Sequence, residues 1–142
     1  MPDTNAWAGF QSAVYEVFSH EGTLRLHLGK PCPALRALLD WHETNRAAFV
    51  TAFNPAATRL SDAENDRRAI QLRQRCAALG YPVLPGRGGA PDWGWEDSLL
   101  IFDIGPSSAR RLGREFGQDA ILVTDDQQRM QLQPCADPIF SD

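Results

Sequence analysis

The amino-acid sequence predicts an α+β (mixed α/β) fold: a single domain with a mixed sheet of about five to seven strands and three helices packed mainly on one face. Three observations carry this prediction. Short stretches with strand patterning come mostly in pairs, and stretches with helical spacing fall between them, in the order β-β-α-β-α-β-β-α-β-β. That order lacks the strict βαβ alternation of doubly wound dinucleotide folds. The 142 residues, 43% hydrophobic and 23% charged, suffice for one core, and no repeat or composition shift marks a second. Residues 1–133 are therefore read as the domain and 134–142 as a C-terminal tail.

The elements follow in chain order. Val14–Phe18 has strand propensity, His20-Glu21-Gly22 is a turn, and Thr23–Leu28 alternates with Leu24, Leu26 and Leu28 inward. Pro33 suits a first helical position, and Leu35, Leu38, Leu39 and His42 keep helical spacing over 33–43. Ala47–Phe53 is a buried central strand ended by Asn54-Pro55, where proline stops the ladder and biases Asn54 towards extended backbone. Ser61 and Glu64 form a capping box opening a helix to Leu79, with Gly80 just past its end. Its apolar line of Ala69, Leu72, Cys76 and Leu79 extends backwards onto Asn65, with Arg68 on the flank.

Tyr81–Leu84 reads as a short strand and Pro85–Pro91, rich in glycine, as a mobile loop hinged by Trp93 and Trp95. Asp97–Ile104 is a second core strand, and period two sets Glu96 and Ser98 on the face of Leu100 and Phe102. Ser107 caps a helix to Phe116 that buries Ala109, Leu112 and Phe116. Ala120–Thr124 is a strand, and Met130–Gln133 returns beside it.

The totals exclude several classes. A formal net charge of −4 argues against a nucleic-acid coat or an anionic membrane surface, and no apolar run reaches the ~18 residues of a bilayer span. Three scattered cysteines (Cys32, Cys76, Cys135), without a CxxC pair, fit a reducing cytoplasm rather than a disulfide framework. No secretory leader pattern opens the chain, so a cytoplasmic location is expected. The three histidines show no ligand spacing, so no metal and no cofactor is expected. No GxxxxGK[ST], GxGxxG before a helix, or GxSxG is present.

Four motifs remain: Thr51-Ala52-Phe53-Asn54-Pro55, Ser61-Asp62-Ala63-Glu64-Asn65, Trp95-Glu96-Asp97-Ser98 and Phe116-Gly117-Gln118-Asp119-Ala120-Ile121. Together, over roughly residues 13–124, they resemble the bacterial domain-of-unknown-function family 3293. The resemblance implies a small bacterial cytoplasmic protein and supplies no activity. From the residues themselves, Thr51, Asn54, Asn65, Arg68, Trp95 and Gln118 are the candidate ligand-binding groups, because polar side chains at strand and helix ends of α/β sheets commonly line ligand sites. Glu96 is the candidate general acid–base; a carboxylate beside a core strand must be solvated or paired, and Arg68 is the expected partner. The free N–H groups of the Ser61 helix and Arg68 favour a small anionic or nucleotide-like ligand in a polar pocket at the sheet edge. Whether the protein is an enzyme stays open. The alternative is a non-catalytic module in which these polar groups are structural and a protein partner docks on the Trp93/Trp95 loop or the tail.

Overall fold

A computed structural model describes residues 4–90 and 94–136 of the chain. The elements are α1 (Thr4–Ser12), β1 (Val14–Ser19), β2 (Gly22–Leu26), α2 (Pro33–Trp41), β3 (Ala47–Thr51), a 3-10 turn (Pro55–Ala57), α3 (Asp62–Leu79), β4 (Val83–Ala90), β5 (Gly94–Phe102), α4 (Pro106–Glu115), β6 (Ala120–Thr124) and β7 (Met130–Pro134). This is the expected order with one helix added in front. Nothing in the sequence announced α1: it has no apolar periodicity, and Gly9 weakens its interior. Among the described residues no helix is long and apolar enough to cross a membrane.

The seven strands form one curled sheet in the order β2-β1-β4-β5-β3-β6-β7, with every strand pair antiparallel. Among the described residues its parallel component is one bridge, Leu28 to Met130, reinforced by Gly29 N–H donating to the Met130 carbonyl at 2.7 Å. Since Leu28 follows one edge strand and Met130 begins the other, this bridge draws the two edges together. Alternation along the strands then builds two cores. Val17, Leu26, Phe49, Leu100, Phe102, Leu122 and Met130 face inward and are closed over by Leu35 and Leu39 of α2. Ala48, Val50, Leu99, Ile101, Ile121 and Val123 face outward under Leu72 and Cys76 of α3 and Ala109 and Leu112 of α4. Each large side chain so buried contributes about 1.5–3 kcal/mol. Two of the three anticipated helices thus share a face, tied across their outer sides by the Arg75–Glu115 pair at 3.1 Å.

Helix boundaries obey their local signals. Ser61 Oγ accepts from the Glu64 N–H at 3.2 Å and donates to Glu64 Oε1 at 2.9 Å, so both residues serve the start of α3. Gly80 closes that helix at φ 82°. As the periodicity requires, the buried face of α3 begins with an amide, Asn65. In α4 the cap is Gly105 followed by Pro106, rather than Ser107.

The glycine-rich stretch is a strand, not a loop. β4 occupies the middle of the sheet and pairs with both β1 and β5. Its glycines serve close approach: a Cβ on Gly86 would run into the Glu16 carbonyl and come within 2.9 Å of the Phe49 ring. The hinge imagined at Trp93 lies outside the described residues. β7 runs through Pro134, and Cys135 is buried, its N–H bonded to the Asp119 carbonyl.

The β6–β7 turn is organised by Asp125, whose carboxylate accepts from the N–H groups of Arg129 (3.0 Å) and Gln127 (2.8 Å) and from the Gln131 amide (3.0 Å). The Arg129 backbone bond and the Gln131 side chain are the main causes that lower its pKa to about 2. A carboxyl lowered on folding stabilises above its unfolded pKa of about 3.9 and loses that contribution as pH falls through the folded value. Asp125→Asn is therefore expected to be less stable than the parent at pH 5 and to lose less stability between pH 4 and pH 2. Urea midpoints across that range measure it; parallel pH profiles would refute the assignment.

Candidate functional site

A cavity of about 270 Å³ opens between the inner sheet face and α1. Its walls are mostly apolar, among them Phe10 of α1, Tyr15 of β1 and Phe49 of β3, with Gly88 and Gly89 contributing bare backbone. The Tyr15 and Phe49 rings meet edge to face, with centroids 5.8 Å apart. The Tyr15 hydroxyl donates to the Phe10 carbonyl at 2.5 Å, which ties α1 to the sheet. Burial, with the Glu96 carboxylate nearby, holds the Tyr15 phenol above its ordinary pKa, so it stays protonated.

Thr51, Asn54, Glu96 and Gln118 all line this cavity, although they come from three separate segments. The link between them is Asn54. Its Nδ2 donates to Glu96 Oε2 at 2.7 Å, and its Oδ1 accepts from the Leu60 N–H and from Asn65 Nδ2, both at 2.9 Å. Its own N–H donates to Asn65 Oδ1 at 3.0 Å, so the two asparagines bond reciprocally. Asn65 lies one layer behind the cavity wall, 5% exposed, holding Asn54 rather than facing the space. The Thr51 hydroxyl donates to the Asp97 carbonyl at 2.7 Å, and the Ser98 hydroxyl to the Glu96 carbonyl at 3.1 Å, fixing the strand end that carries Glu96.

The backbone at this point departs from expectation. Asn54 is left-handed (φ 47°, ψ 64°), not extended, and Ala56 and Ala57 also have positive φ, at 51° and 57°. Asparagine tolerates that region better than most residues, and its four hydrogen bonds outweigh the local preference set by Pro55. Ala56 is held by donating its N–H to the Gly117 carbonyl at 2.8 Å. Strained residues persist only where the surroundings over-determine them.

Two candidates sit elsewhere. Arg68 does not take up the place expected of it beside Glu96: its Nε donates to the Ala52 carbonyl at 2.6 Å and its Nη2 to the Phe116 carbonyl. Gln118 donates to the Phe53 and Phe116 carbonyls at 2.9 and 3.3 Å. Arg68 and Gln118 together thus satisfy carbonyls left over where β3 and α4 end. Trp95 lies on the opposite sheet face, 48% exposed, with the Arg87 guanidinium 3.8 Å over its ring and Glu16 pairing Arg87 at 2.8 Å. The aromatic and glycine walls were missed because they are distant in sequence; the signal for them was Gly88, where a Cβ would come within 3.1 Å of the Tyr15 ring.

The four motifs therefore form one connected network at a single cavity, and a comparison with known families bears on that network. The family described as Protein of unknown function (DUF3293) matches residues 50–121, half of the chain. The chain belongs to this family. The DUF3293 match spans Thr51, Asn54, Asn65, Glu96 and Gln118, and leaves α1, β1 and the rest of the N-terminal part of the cavity wall outside it. No curated protein and no solved structure matches the chain.

The chemistry of this DUF3293 cavity is acidic and apolar. Its described lining residues include Glu96 and Asp119 but no Arg or Lys, and the first turn of α3 is not among them. Arg68, expected to help grip an anionic or nucleotide-like ligand, is instead bonded to the Ala52 and Phe116 carbonyls. The thiols supply no nucleophile either. All three cysteines are buried, and burial pushes Cys76 up to about 11 and Cys135 up to about 12.

Proposed function

We propose that the domain binds a small molecule with a largely apolar body and one polar end, which the Glu96–Asn54 pair receives. The observation carrying this reading is the cavity itself. At about 270 Å³ it has room for roughly nine waters' worth of ligand at ~30 Å³ each, just below the usual ~300 Å³ lower bound for ligand pockets. Apolar walls with a few convergent polar groups are what such sites present. Glu96 is the residue to which acid–base chemistry would fall if the bound molecule reacts. Buried, unpaired thiols support a reducing, cytoplasmic setting.

A fragment screen read by thermal shift and ligand-observed NMR tests the reading, with Ala90→Phe as the blocked control. Ala90 lies on the same side of β4 as Gly86 and Gly88 and lines the cavity, so a phenyl group there fills it. Hits on the parent that lose at least tenfold in affinity on Ala90→Phe, with the variant still folded, are expected. The alternative, a non-catalytic interaction module using the exposed Trp95 surface, requires that no fragment bind the cavity; a blank screen would decide for it.

A further inference from the structure

We infer that the molecule carries a second ligand site, for a small phosphorylated compound, in a basic hollow at the end of the β1–β2 hairpin. The hollow has a volume of about 270 Å³ and lies between the end of α1, the start of β1 and the segment from Arg25 to Lys30. Its described lining holds Arg25, His27 and Lys30 and neither Asp nor Glu. This concentration of basic groups runs against the chain as a whole, whose formal net charge is −4. The first cavity has the opposite lining, with acids and no Arg or Lys among its described residues, although Ala13 and Tyr15 border both spaces. The second site therefore goes beyond the reading above and stands whatever binds in the first.

The donors of this hollow are not spent within the chain. Arg25 Nη2 stands 3.9 Å from Glu16, beyond hydrogen-bond reach, while Arg87 Nε holds the same carboxylate at 2.8 Å. The Arg25 guanidinium thus keeps its N–H groups for another acceptor. Lys30 pairs with no carboxylate among the described residues. Its backbone is nevertheless fixed. Gly29 before it is left-handed at φ 71° and donates its N–H to the Met130 carbonyl at 2.7 Å, and Lys30 N–H reaches the His27 carbonyl at 3.4 Å. The His27 imidazole can donate a hydrogen bond in either charge state. An arginine fork matches pairs of phosphate oxygens, and a lysine adds a compact point charge beside them. Against the same cations a phosphate dianion gains about twice the Coulomb attraction of a carboxylate, which selects phosphate as the class. Val14 and Leu28, both half-buried, line the same hollow and offer apolar surface to the carbon part of the compound.

The test titrates the full chain with inorganic phosphate, and with acetate as the carboxylate control, following backbone amide shifts by NMR. Ionic strength is held constant, because exposed charges are screened by salt, and the pH is mildly alkaline, where phosphate is a dianion. Saturable shifts centred on residues 25–30 are expected, with acetate at least threefold weaker. Lys30→Glu, at an exposed position, is expected to weaken phosphate at least tenfold, and Lys30→Arg, which keeps the charge, to stay within threefold of the parent. Ala90→Phe, which fills the first cavity, should leave phosphate binding unchanged. Shifts that rise without saturating, shifts centred elsewhere, or equal affinity in Lys30→Glu and the parent overturn the inference. Acetate binding as tightly as phosphate overturns it as well. Loss of phosphate binding on Ala90→Phe would place the anion in the first cavity and overturn the second site, while the small-molecule reading of the first cavity would stand.

Discussion

Asn54→Ala is expected to destabilise the fold by about 4 kcal/mol, near the upper limit for single substitutions. Three side-chain hydrogen bonds vanish together, and their partners, the Leu60 N–H, the Asn65 amide and the Glu96 carboxylate, each lose a bond in a partly or fully buried place. A buried polar group left unsatisfied costs about 1–3 kcal/mol. Alanine must also hold the left-handed backbone of residue 54, at roughly 1–2 kcal/mol more. Asn54→Gly separates the two causes, because glycine removes the same hydrogen bonds but accepts the backbone without steric cost. It should recover about 1 kcal/mol relative to alanine. Urea unfolding at constant m-value reports both; equal losses for alanine and glycine would show that the φ of 47° carries no energetic weight.

The second large effect belongs to the middle of the sheet. Gly86→Ala is expected to cost about 3 kcal/mol, because the new Cβ meets the backbone carbonyl of Glu16 in the neighbouring strand as well as the Phe49 ring. A carbonyl in a ladder cannot swing aside, so β1 must separate from β4. Gly88→Ala, two residues along the same strand and face, meets only side-chain rings, nearest at 3.1 Å from Tyr15, and should cost less than half as much. Should the two variants unfold at the same urea concentration, close packing of β4 on β1 would not be the reason for its glycines.

Which parts of this molecule could be read in advance follows from where the determining forces lie. Alternation and capping are local, so the β1–β2 hairpin, the Ser61–Gly80 bounds of α3 and the inward setting of Glu96 with Leu100 were legible. β4 was not, because strand patterning is read from side chains and glycine has none to read. The left-handed Asn54 was misjudged for the opposite reason: the local rule before proline is sound, but bonds to residues 60, 65 and 96 override it. At the site, the convergence of Asn54, Glu96 and Gln118 followed from their positions at element ends. The destination of Arg68 did not, since a helical flank says which way a long side chain leaves but not which carbonyl it reaches.

The bridge between Leu28 and Met130 has a consequence for how the chain comes to be folded. The hairpin of β1 and β2 finds its lateral neighbour only when β4 arrives, and its far edge is joined only by a residue near the end of the described chain. Pairings between such distant segments pay loop-closure entropy before they return any contact energy, which slows folding. During synthesis the first hairpin must wait with its backbone edge open until most of the polypeptide has emerged. Arg25 and Lys30, charges beside that waiting edge, then act before the native state exists, discouraging one nascent chain from pairing with another.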